Sequence, residues 1–130
     1  MKIIEQYESF HDWYLLGIAA DMDRQVVDLR LMFDNRKDRV RLSFTGATRC
    51  WVNDFLIQNI IYSIKVLTDF NSDEYRKALA LLDKSYSWGE GKPLKNIAFV
   101  QATLGAELFI EFDSLEVEPE MRVCMSDSGP

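Results

Sequence analysis

The sequence predicts an α+β domain: a mostly antiparallel sheet of about seven short strands, curled or half-barrel in shape, with one amphipathic helix near residues 72–88. Three observations carry this. Residues 26–33 and 39–44 alternate apolar and polar side chains around a polar loop, the period of a half-buried hairpin. Residues 106–113 alternate again after Leu104-Gly105. Between these runs, Tyr75, Ala78, Leu79, Leu82 and Tyr86 recur at spacings of three and four, which places them on one helical face.

Along the chain, residues 14–21 form a first apolar stretch, closed by the turn Asp21-Met22-Asp23-Arg24. In 26–33, Val27, Leu29, Leu31 and Phe33 share a face, and Asp28 and Arg30 point the other way. After the polar turn 34–38, Val40, Leu42 and Phe44 alternate with Arg39, Arg41 and Ser43. Gly46 directly after this strand predicts a bulge or a sharp bend. Residues 50–58 leave two readings open, because Trp51, Val52, Phe55 and Leu56 also fit one or two helical turns. Residues 59–68 are rich in β-branched and aromatic side chains and predict a strand.

Ser72 can cap the helix, with Asp73 and Glu74 in the first turn, where free backbone amides and the helix dipole favour acids. Gly89 and Gly91 end the segment, and Pro93 blocks its resumption. Strands return over 97–103 and 106–113. In the second, Leu108, Ile110 and Phe112 alternate with Glu107, Glu111 and Asp113, which predicts a half-buried strand with one acidic face. Glu116-Val117-Glu118 and 121–124 add a last edge, broken at Pro119. Residues 1–125 are expected to form a single domain, and 126–130 a loose tail.

At 130 residues and 48% hydrophobic, the chain can bury a core without disulfides or metals. Its apolar runs fall well short of the roughly 20 residues of a spanning helix. Glu5 and Glu8 interrupt the N-terminal segment that a signal peptide would need. The expected location is cytoplasmic, with no membrane association. Cys50 and Cys124 lack metal-ligand spacing, and two reduced, mostly buried thiols are expected.

Catalytic signatures are missing: there is no Gly-rich phosphate loop, paired-cysteine metal site or two-histidine helix motif. No catalytic residue, metal site or cofactor is therefore expected, and the chain reads as a non-enzyme. The only histidine, His11, precedes Asp12. An oriented base would need the two side chains to meet, but neighbours on a strand point to opposite faces. The stronger reading is structural, with His11 hydrogen-bonded to a neighbouring backbone or side chain. Trp13, Tyr14, Trp51, Phe55 and Tyr86 read mainly as core. Trp88, at the helix end beside Gly89, is the candidate exposed anchor.

The charge is unevenly placed. Residues 1–102 balance acids against bases. Residues 103–130 carry Glu107, Glu111, Asp113, Glu116, Glu118, Glu120 and Asp127 against Arg122 alone, which accounts for the whole net charge of −6. An acidic surface repels nucleic acid and steers basic proteins.

Phe10-His11-Asp12, the hairpin ending in Phe44-Thr45-Gly46, and Gln58-Asn59-Ile60-Ile61 follow in an order and spacing that resembles the immunity proteins of bacterial polymorphic-toxin and contact-dependent inhibition systems. The likeness covers residues 9–67. It implies a cytoplasmic inhibitor that binds a cognate toxin domain without catalysis. Many such toxins are basic nucleases, so the expected contact is Glu107, Glu111, Asp113, Glu116 and Glu118, with Trp88 as an apolar anchor. The alternative is a small homo-oligomeric binding or scaffold domain, such as a homodimer joined at a sheet edge. A third reading is an enzyme or small-ligand carrier built on His11 and the aromatics.

Overall fold

A computed structural model describes residues 2–87 and 91–120. The strands among them are β1 (Tyr14–Asp21), β2 (Val26–Met32), β3 (Arg39–Thr45), β4 (Arg49–Asn53), β5 (Ile60–Leu67), β6 (Asn96–Leu104), β7 (Glu107–Phe112) and β8 (Ser114–Glu120). Two helices, α1 (Lys2–Glu5) and α2 (Asp73–Ser85), and a 3-10 turn at Glu8–Phe10 complete the elements. The strands form one antiparallel sheet in the order β4-β7-β6-β5-β1-β2-β3-β8. The α+β class is the one the sequence predicts. The extra strand is β4, which forms where the pattern also allowed helical turns. Its alternating Arg49, Trp51 and Asn53 lie opposite Glu111, Phe109 and Glu107 of β7. The predicted last edge also differs, since β8 runs through Pro119. Residues 121–124 and the predicted tail, 126–130, lie outside the described residues.

The sheet folds over on itself at the β1–β5 junction. There the ladder narrows to Tyr14 opposite Ile60. The Leu15 N–H donates to the Asn59 carbonyl at 2.9 Å, and the Ile61 N–H to the Trp13 carbonyl at 2.9 Å. At the other end of the fold, Asp113 carries the chain from β7 in one half to β8 in the other. Its N–H donates to the Thr45 carbonyl at 2.9 Å. Gly46 makes this corner, as its position after β3 predicts. Its φ is +64°, and a Cβ there would come within 2.9 Å of the Asp113 Cβ. The sheet stays open, with β4 and β8 as its edges.

The main core fills the space between the halves. Leu29, Leu31, Leu42 and Phe44 meet Ile61, Ile64, Val100, Leu108, Ile110 and Phe112. Phe44 and Phe112 pack edge to face at 5.0 Å, a favoured aromatic geometry. Phe10 closes one end, stacked on Tyr7 at 4.8 Å and edge-on to Trp13 at 5.2 Å. Glu8, Ser9 and Phe10 all adopt left-handed backbone angles, with φ of 52°, 56° and 57°. Such angles cost L-residues roughly 1–2 kcal/mol each. Complete burial of the Phe10 ring offsets part of that.

Helix α2 forms an outer layer on the half made by β4, β7, β6 and β5. Tyr75, Ala78 and Leu82 pack on Leu67, Ile97 and Phe109. The Ser72 hydroxyl accepts the Tyr75 N–H at 3.1 Å, the cap the sequence predicts. Ser72→Ala is expected to cost about 1 kcal/mol, read as a lower urea midpoint. The helix ends earlier than the spacing suggests: Tyr86 is extended, with φ −156°, and exposed rather than on the buried face. Among the described residues, no helix is long and apolar enough to cross a membrane.

Candidate functional site

The predicted acidic contact does not form one surface. Glu111 is buried, which corrects the expectation that it lies on a solvent-facing acidic face. Alternation put it opposite the core, and so it is, but α2 covers that side of β7. The Arg49 guanidinium reaches it through two hydrogen bonds, Nε to Oε1 at 3.0 Å and Nη2 to Oε2 at 2.8 Å. The Thr48 hydroxyl donates to Oε1 at 2.6 Å. Arg49 Nη1 also donates to Asp83 Oδ1 at 2.6 Å and to the Tyr86 carbonyl at 2.8 Å. Burial alone would lower the Arg49 pKa, but the bonds to Glu111 and Asp83 outweigh it and leave the group raised. This network clamps the end of α2 to the sheet. It is structural.

The other predicted contact residues divide between two places. Glu107 begins β7 on the α2 side of the sheet, opposite Asn53, and is half-buried. Asp113 sits at the corner, 3.3 Å from the Lys95 ammonium. Glu116 and Glu118 lie on β8 opposite Ser43 and Arg41. Trp88 lies outside the described residues. The structure therefore groups Glu116 and Glu118 with Glu120, on one edge strand.

That strand borders an uncovered face. Because α2 packs on the other half, the outer side of β1, β2, β3 and β8 carries no second layer among the described residues. Register places three rows across it: Tyr14, Met32, Arg39 and Glu120; Gly17, Arg30, Arg41 and Glu118; Ala19, Asp28, Ser43 and Glu116. From β1 to β8 the face passes from apolar and small side chains, through arginines, to glutamates. Arg41 holds Glu118 at 2.8 Å, and Arg30 reaches Glu120 at 3.4 Å. Glu116 keeps an exposed carboxylate. The pairings weaken the acidic field that the charge count predicts. The alternation in β2 and β3 already placed Arg30, Arg39 and Arg41 away from the core, but not their pairing with β8.

Beyond β1, a loop from Asp54 to Asn59 presents Phe55 and Leu56 half-exposed and Ile57 fully exposed. The reading of Phe55 as core is corrected here. Asn59, 2% exposed, holds the loop. Its side-chain oxygen accepts the N–H groups of Leu56 and Ala106, each at 2.9 Å. Its amide nitrogen donates to the carbonyls of Leu56 at 2.8 Å and Leu15 at 3.4 Å. Gly105 makes room for it: φ is +85°, and a Cβ would lie 3.0 Å from the Asn59 Cγ. Between this loop and β1 runs a groove of about 360 Å³, lined by Tyr14, Leu16, Met32, Arg36 and Ile57.

His11 and Asp12 do meet, contrary to the strand-based expectation. They precede β1 in a turn where Asp12 has φ +66°, so their side chains do not alternate. His11 Nε2 stands 3.4 Å from Asp12 Oδ2, both side chains being more than half exposed. Its Nδ1 donates to the Tyr62 carbonyl at 2.8 Å, the structural bond the sequence suggests. Cys50 is exposed on β4, not buried as expected, because it sits on an edge strand. Although the residue as a whole is exposed, its sulfur is partly withdrawn from water, which pushes the thiol up to about 11, so it stays protonated at neutral pH. Cys124 lies outside the described residues. Among the described residues, no group of three His, Cys, Asp or Glu side chains could hold a metal ion. No protein-family model matches the chain, and a search of curated proteins finds no match.

Proposed function

We propose that this chain is a toxin-neutralising immunity protein: it binds a cognate toxin domain and inhibits it without catalysis of its own. The observation that carries the reading is the uncovered four-stranded face bordered by Glu116, Glu118 and Glu120. A broad, rigid sheet face with ordered charge suits recognition of another folded surface. The glutamate stripe would meet basic groups of the toxin, such as those a nuclease turns towards phosphate. Complementary charge raises the association rate and rejects partners of the wrong sign.

The test is capture of a basic toxin domain by this protein from the lysate of its source cells, followed by a binding titration of that domain across a salt series. Glu116→Lys with Glu118→Lys is expected to weaken binding about tenfold at low salt and to flatten its salt dependence. Unchanged affinity and slope would remove β8 from the interface.

One observation favours the alternative of a homo-oligomeric binding or scaffold domain. Among the described residues the β4 edge is unpaired and carries exposed Val52 and Cys50, whereas the glutamates of β8 would repel a second copy. A mass that rises with concentration, in sedimentation equilibrium, would support that reading.

A further inference from the structure

The uncovered face ends, on the β1 side, in the groove beneath Ile57. We propose that this groove is the anchor site for the protein partner, taking an apolar side chain that has a carboxylate beside it. The inference rests on the protein-binding reading above and adds where the partner is held and with what chemistry.

Three observations support it. First, the apolar display is built rather than slack. Ile57 stands fully in water, and Phe55 and Leu56 half so, on a loop whose base is fixed by the buried Asn59 side chain. Holding three apolar residues outward with a four-bond buried hub is favourable only if something else covers them, since exposed apolar surface is a cost that folding normally removes. Second, the groove joins apolar walls from Leu16, Met32 and Ile57 to polar groups from Arg36, Gln58 and Asn59, the combination that binding sites use to hold and orient a ligand. Third, its rim carries a cation. Arg36 lies over the Tyr14 ring, 5.7 Å from its centroid, and forms no ion pair among the described residues. Its backbone is left-handed, with φ +62°, in a turn whose Arg36 N–H donates to the Phe33 carbonyl at 2.9 Å. A guanidinium set over an aromatic ring and beside an apolar wall matches a carboxylate that travels with an apolar side chain. A purely basic segment would meet repulsion at this end of the face, although it would fit the β8 end. The chemistry thus fixes the partner's orientation: acidic and apolar over β1, basic over β8.

The test is a displayed library of random peptides, selected on the full chain. Selected peptides are expected to share a large apolar residue within a few positions of Asp or Glu. Their affinity is expected to fall about tenfold or more with Ile57→Asp and with Arg36→Glu, both at exposed positions, with far-UV circular dichroism unchanged. Peptides without an acid, peptides indifferent to both substitutions, or no selection at all would overturn the proposal. Peptides that depend on Glu116 and Glu118 but not on Ile57 or Arg36 would overturn the groove alone and leave the binding reading standing. A failure of that reading is seen separately, in the toxin titration. Self-association abolished by Ile57→Asp would assign the groove to a second copy and overturn the proposal as well.

Discussion

Glu111→Ala is expected to destabilise the protein by about 3–5 kcal/mol, the usual cost of removing one partner from a buried ion pair. The change takes from the buried Arg49 its two-bond carboxylate partner, with Asp83 and the Tyr86 carbonyl among the partners that remain. It also strands the Thr48 hydroxyl, whose acceptor is Glu111. Urea unfolding would read the loss directly. Two controls give the result its meaning. Glu118→Ala, on the exposed pair with Arg41, is expected to leave the midpoint where it is, because solvent-exposed pairs contribute little. The double replacement Arg49→Met with Glu111→Leu is expected to recover most of the stability, since two apolar groups of similar volume avoid the desolvation of two charges. A Glu111→Ala variant as stable as the parent would mean that the clamp between α2 and the sheet is carried by Tyr75, Ala78 and Leu82 alone.

Asn59→Ala is expected to cost on the order of 1–3 kcal/mol, because it leaves the buried Ala106 N–H without an acceptor and releases the part-buried Leu56 N–H. Thermal unfolding measures this. Gly105→Ala should damage the same hub from the other side, by strain at φ +85° and by collision with the Asn59 amide. Both changes are expected to loosen residues 54–58, detectable as faster amide exchange at Leu56, whose N–H is otherwise held by Asn59. Unaltered exchange at Leu56 would show that the loop is held by its flanking strands instead.

Much of this architecture was legible because strands β2 and β3 and helix α2 each bury one face only. A period of two in 26–33 and 39–44, or of three and four in 75–82, then reports the buried side directly. Strand β7 shows the limit of that logic. Alternation identifies Leu108, Ile110 and Phe112 as core, but it assigns the buried Glu111 to solvent. Alternation separates the two faces of a strand; it does not say what covers the second. The partner that makes Glu111 a buried residue, Arg49, lies 62 positions away, in a segment whose apolar residues also fitted a helix. His11 failed for a different reason. The turn before β1 uses left-handed angles at Phe10 and Asp12, so strand geometry does not apply to it. The exposed Phe55-Leu56-Ile57 run is apolar by composition. Only the bonds of Asn59, made to residues near and far, turn it outward.

Strand β8 reaches its place by passing from one half of the sheet to the other, and this has a consequence for how the chain is made. Thr45 and Ser114 lie opposite each other on β3 and β8, 69 residues apart. During synthesis, β3 is therefore finished roughly 3–14 s before its outer neighbour begins, at ribosomal rates of about 5–20 residues per second. For that interval the Arg39–Thr45 strand is an open template with Val40, Leu42 and Phe44 on its inner side, the kind of edge that recruits other chains. Its outward arginines, not yet matched by glutamates, place charge along that edge, and charged side chains are among the features that discourage edge-to-edge pairing. The pairing that weakens the acidic field of the finished protein is thus preceded by a period in which the same arginines border an unfinished sheet.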